Sequence, residues 1–163
     1  MKLSFNVNSL NQEVLQKEMA EAAHRIYNSP KARGNRTAKQ VFEAVRKGHP
    51  AELFLREKFK FYNDPDTWHD LISHLGLSIE VKTWHADWIP ANLVELANKR
   101  MSYLRSDWVF IFTCNRDCTE YKLYGVYKWQ PQIEQYVPSK FDWAKEYAAY
   151  EDLELDRKYL ETL

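Results

Sequence analysis

Over residues about 9 to 28, apolar side chains recur at mixed three- and four-residue spacing: Leu10, Val14, Leu15, Met19, Ala22, Ala23 and Ile26. That period predicts an amphipathic helix, opened by Ser9 or Asn11, whose side chain can accept from a first-turn N–H. Ser29-Pro30 and then Gly34-Asn35 end it. A second helix starts near Thr37, carries Val41, Phe42 and Val45 on its apolar side, and stops at Gly48. Pro50 suits the first turn of a third helical piece, Ala51 to Phe59, with Leu53, Phe54 and Leu55 as its apolar positions.

The cluster Asn63-Asp64-Pro65-Asp66 signals a turn, and after it the period shortens towards two. Trp68 to His74 and Leu77 to Trp84, with Gly76 between them, read as a hairpin. Pro90 opens a helix with Leu93, Val94, Ala97, Met101 and Leu104 on one side, ending near Arg105. Trp108 to Thr113 is an unbroken apolar run, the pattern of a central strand buried on both faces, and Tyr121 to Trp129 reads as its neighbour. Phe141 to Tyr150 and beyond reads as a surface helix. This succession predicts an α/β fold with a mixed central β-sheet flanked by helices. No repeat divides it, so residues 1–163 are expected to form one domain. Its parts are a helical segment to about 60, a sheet core over about 61–130 and a helical tail over about 131–163.

Composition adds one core and no long disordered region: 45% of residues are hydrophobic and 15% aromatic. No stretch approaches the roughly 18 apolar residues of a bilayer span, and the start of the chain lacks the apolar run of a secretion signal. The expectation is a soluble protein of a cellular or infected-host cytoplasm. The 23 basic and 23 acidic residues cancel but are unevenly placed. Between Lys31 and Lys60 nine bases face three acids, whereas from Asp142 onwards seven acids face three bases. Arg33, Arg36, Lys39, Arg46 and Lys47 suit a grip on a DNA backbone, and equally suit a solvated helix surface. Cys114 and Cys118 are the only cysteines, and Cys-x3-Cys without a well-spaced histidine does not specify a metal site.

Chemistry concentrates on the predicted hairpin. Alternation along Leu77–Trp84 puts Leu77, Ile79, Val81 and Thr83 on a core face and Ser78, Glu80, Lys82 and Trp84 on the other. Glu80 and Lys82 are then about 7 Å apart at a rise of ~3.3 Å per residue. A three-residue turn centred on Gly76 would set Ile72 against Glu80 and Asp70 against Lys82, collecting Asp70, Glu80 and Lys82 on one face. Two carboxylates there suit Mg2+, with Mn2+ as substitute, and the ammonium suits an attacking water and a developing phosphorane charge. A surface ion pair between Glu80 and Lys82 beside a solvated Asp70 fits the same spacing.

The segment DPDTWHDLISHLGLSIEVKTW, residues 64 to 84, resembles the core motif of the PD-(D/E)xK nucleases, in which an aspartate on one strand precedes Glu-Val-Lys on the next. The flanking order is also similar, over roughly residues 48 to 129. The resemblance implies a restriction-endonuclease-like fold and divalent-metal-dependent DNA cleavage. It implies Asp70 and Glu80 as metal ligands, Lys82 as the catalytic lysine and Glu52 as an outer ligand. The literal Pro-Asp pair is Pro65-Asp66, but Asp66 would fall past the end of the second strand, so Asp70 is preferred. The expected activity is a Mg2+-dependent deoxyribonuclease acting as an endonuclease, with a homodimer as one assembly and a phage, mobile-element or restriction setting. A junction-resolving or repair nuclease, an inactive DNA-binding protein on the same fold, and a small interaction domain are the alternatives.

Overall fold

The structure is a computed structural model describing residues 3–63, 70–89, 98 and 105–162. In chain order the elements are β1 (Ser4–Asn6), α1 (Gln12–Tyr27), α2 (Pro30–Arg33), α3 (Ala38–Phe59), β2 (Tyr62–Asn63), β3 (Leu71–Ile72) and β4 (Ser78–His85). β5 (Trp108–Cys114), β6 (Glu120–Gln130), β7 (Gln135–Pro138) and α4 (Trp143–Thr162) follow. The fold is α/β. Among the described residues seven strands hydrogen-bond in the order β1-β6-β5-β4-β3-β2, with β7 also on β6. No helix among the described residues is long and apolar enough to cross a membrane.

The chain forms two compact units, interleaved in sequence. The first takes residues 1–54, 81–89 and 111–124. Here Asn11 caps α1, its side chain accepting from Val14 N, and Leu15, Met19 and Ala22 form the helix's buried stripe. Phe5 stacks on Phe54 at 4.2 Å and on Tyr121 at 4.9 Å between ring centroids, and Phe112 meets Phe5 and Phe54 edge-on. β1 pairs antiparallel with β6, Phe5 opposite Tyr121. The sequence pattern did not announce β1, a three-residue strand too short to display a period.

Residues 38–59 are one helix, where the sequence predicted two. Gly48 and Pro50 lie inside α3 instead of separating helices. Pro50 has no N–H to give the carbonyl of Arg46, and its ring crowds that turn. The buried Tyr121 hydroxyl stands in at the break, donating to the carbonyls of Lys47 at 2.9 Å and Arg46 at 3.3 Å. A donor from a distant strand, which no local pattern can reveal, thus keeps the helix continuous.

The second unit takes residues 55–80, 90–110 and 125–163. Its aromatic cluster gathers Phe59, Phe61, Phe110, Phe141 and Trp143, with Trp143 4.2 Å from Phe59 and 4.7 Å from Phe141 between ring centroids. Tyr136 on β7, fully buried, gives its hydroxyl to the Ser106 carbonyl, and its main chain is bridged by the Asn98 side chain. The helix predicted over 90–105 falls outside the described residues, apart from helical Asn98. Every position of β5 is buried, as a strand covered on both faces requires.

β3 and β4 form the predicted hairpin, in a different register. Leu71 pairs with Ile79 and Ile72 with Ser78. The loop between the last pair, Ser73 and Leu77, is His74-Leu75-Gly76, closed by Ser73 N–H to Leu77 O at 2.8 Å and Gly76 N–H to Ser73 O at 3.0 Å. Gly76 takes the left-handed position with φ 78°, so the turn is centred on Leu75 and not on Gly76. The correction moves the ladder by two residues. A two-residue shift changes partners but keeps every side chain on its face.

Candidate functional site

The ladder sets the geometry of the carboxylates. Continuing it one residue beyond Leu71 and Ile79 brings Asp70 opposite Glu80, and not opposite Lys82 as the Gly76-centred turn required. Glu80 is buried, 6% exposed, on β4 between Ile79 and Val81. Asp70 is half-buried in the bend before β3. Lys82, half-buried, follows Glu80 by two residues on β4, and Val81 and Thr83 alternate with it as buried core positions. The alternation read from the sequence therefore holds at Ile79, Val81 and Thr83. Burial of Glu80 was not legible, because a strand's second face is solvated in many sheets and its covering comes from elsewhere in the chain.

Glu52 lies half-buried on α3, in the first unit. Its carboxylate is 3.7 Å from His49 Nδ1, and the same imidazole meets Glu18 on α1 at 2.8 Å through Nε2. An imidazole between two carboxylates ties α1 to α3 and orients Glu52. Asp66, the aspartate of the literal Pro-Asp pair, falls outside the described residues.

The basic residues predicted to meet DNA spread over α2 and α3. Arg33 lies with its guanidinium 5.1 Å from the Tyr27 ring centroid. Arg36 donates to the carbonyls of Ala32 and Arg33, sealing the end of α2. Lys39 is highly exposed and 4.0 Å from Glu43 one turn on. Arg46 donates to the Asp117 carbonyl at 2.7 Å, and Lys47 is half-buried.

A second group of chemically capable side chains lies in the first unit, where the sequence offered the two cysteines without a histidine spaced to join them. His85, at the end of β4, supplies the histidine that spacing in sequence could not, because it is 29 residues from Cys114 and arrives by strand neighbourhood. Its Nδ1 is 3.6 Å from Cys114 Sγ and 3.3 Å from the Asn115 carbonyl. Ligand atoms of His85, Cys114 and Cys118 all lie within 4.8 Å of one another. Both thiols are free and buried. Burial pushes the Cys114 thiol up to about 12, and the adjacent Cys118 adds to that. Tyr121 beside them is also raised, chiefly by burial, which keeps its hydroxyl a donor to α3.

Comparison with protein-family models and with curated proteins returned no match.

Proposed function

We propose that the chain is a divalent-metal-dependent DNA endonuclease of the PD-(D/E)xK kind, with a restriction-endonuclease-like fold. The supporting observation is the β3–β4 register, Leu71 opposite Ile79, which continued by one residue would set Asp70 against a buried Glu80 two residues ahead of Lys82 on one strand. Asp70 and Glu80 are both carboxylates, and a divalent cation between them favours their charged forms. Their donor set, hard carboxylate oxygens, fits Mg2+ or Mn2+, so Asp70 and Glu80 would hold the ion; the resemblance to the nuclease motif adds Glu52 as an outer ligand. The ion would supply Lewis acidity at the scissile phosphate.

The protein's own groups would do the rest. Lys82 directs its ammonium hydrogens at the attacking water and at the oxygen on which charge accumulates, a preorganised electrostatic contribution. Asp70 and Glu80 would hold the ion that supplies this Lewis acidity beside Lys82. Arg33, Arg36, Lys39, Arg46 and Lys47 neutralise backbone phosphates and position the duplex.

The test is nicking of supercoiled plasmid in Mg2+, Mn2+ or EDTA, beside linear duplex, four-way junction and single-stranded substrates. Metal-dependent cutting that falls at least about 100-fold in Lys82→Ala, Glu80→Gln and Asp70→Asn, all folded, is the expected result. Cutting that survives all three substitutions rejects these residues. Retention of DNA with no cutting of any substrate favours a binding protein on a nuclease scaffold.

A further inference from the structure

We propose that His85, Cys114 and Cys118 form a second metal site, selective for a zinc-class ion, on the β5–β6 turn and distinct from the carboxylate pair. The spacing of the donors carries it. Zinc bonds thiolate sulfur at ~2.3 Å and imidazole nitrogen at ~2.0–2.1 Å, so two such ligands on one tetrahedral ion lie about 3.5 Å apart. His85 Nδ1 and Cys114 Sγ are 3.6 Å apart, and Cys118 completes the triangle within 4.8 Å. These donors are soft or borderline, unlike the hard oxygens of Asp70 and Glu80, so the two sites select different ions.

The turn is built to hold that triangle. Asn115 closes it, its side-chain oxygen accepting from Thr119 N at 2.8 Å and Glu120 N at 3.1 Å, while Cys118 N–H donates to Asn115 O at 3.1 Å. Cys118 itself adopts φ 55°, the left-handed conformation that costs a non-glycine residue roughly 1–2 kcal/mol. A glycine would be at ease there, yet the position carries a thiol aimed at Cys114 and His85. Thr113, Cys114 and Asn115, with Ala86 from the segment after His85, also line a cavity of about 620 Å³ in the same unit. It opens beside Cys114, where solvent could reach a bound ion. Three protein ligands plus one water is the pattern of an open zinc centre.

The competing arrangement is a metal-free one, with His85 Nδ1–H donating to the Asn115 carbonyl and the thiols merely packed. The full chain, reduced and stripped with EDTA, is titrated with Co2+ and then Zn2+. One equivalent of Co2+ is expected to produce the intense visible bands of a tetrahedral site and a near-ultraviolet thiolate-to-cobalt band, both erased by Zn2+. Zn2+ is also expected to slow modification of both thiols and raise Tm. Cys118→Gly suits the left-handed backbone and is therefore expected to keep the fold, which circular dichroism and Tm check. It should abolish the thiolate band, as should His85→Ala, while Glu80→Gln leaves it intact. A reduced parent chain that takes up Co2+ without a thiolate band overturns the proposal. So does a band that persists in folded Cys118→Gly, or thiols that zinc leaves equally reactive.

Discussion

Tyr121 is where a single residue decides the geometry of a long element. Its hydroxyl reaches the Arg46 carbonyl, which Pro50 has no N–H to serve, and the neighbouring Lys47 carbonyl. Tyr121→Phe is expected to cost about 1–2 kcal/mol by urea denaturation, since a buried hydrogen bond is lost and carbonyls stay unmatched. In a Pro50→Ala background, where residue 50 regains its N–H, that cost should shrink, with a coupling of about 0.5–3 kcal/mol. Equal costs in both backgrounds would mean the hydroxyl is not compensating the proline. Cys114 makes a pH prediction. Its thiol ionises ordinarily near 9.0 but near 12 in the folded chain, so the unfolded state sheds its proton first. The stability involved is complete below about pH 9 and drains away towards pH 12. Urea melts of EDTA-treated protein across that window should show a flatter alkaline limb in Cys114→Ser.

At the scale of elements, the β3–β4 hairpin separates what a sequence can announce from what it cannot. Alternation placed Ile79, Val81 and Thr83 on the core face because side chains on a strand must alternate, whatever the turn does. The partner of each residue depends on which loop position Gly76 takes, and composition is silent on that; the left-handed third position leaves Asp70 opposite Glu80. The face each side chain takes was therefore legible and its partner across the ladder was not. α3 failed for a related reason, since Gly48 and Pro50 are sound stop signals until a tyrosine from β6 repairs the turn. β1, β2 and β7, at three, two and four residues, are too short to carry a period. Gly76→Ala should cost about 1–2 kcal/mol, because only the φ of 78° opposes it and its Cβ would meet open space. Gly76→Asn should cost less, as asparagine tolerates that conformation. A hairpin that loses nothing in Gly76→Ala would indicate another register, detectable as changed amide-exchange protection at Ile79.

For the whole molecule, a net charge of zero means that any grip on DNA comes from local charge. The basic residues of α2 and α3 differ in what else they do, and that difference makes the proposal testable without cleavage. Lys39 is highly exposed, and its 4.0 Å pairing with Glu43 is of the surface kind that contributes little. Arg46 holds the Asp117 carbonyl at 2.7 Å, and so braces the turn that carries Cys118. Lys39→Ala should leave Tm unchanged yet weaken DNA retention, lowering the slope of log affinity against log salt by about one for a lost phosphate contact. Arg46→Ala should lower both retention and Tm, because it removes a charge and a brace together. The measurement is fluorescence anisotropy with a labelled duplex across a salt series, with EDTA to prevent cutting. An unchanged slope in Lys39→Ala would return that lysine to the solvated helix face. An unchanged slope in Arg46→Ala as well would detach this basic segment from the nuclease reading and move the search for the DNA-binding face elsewhere in the chain.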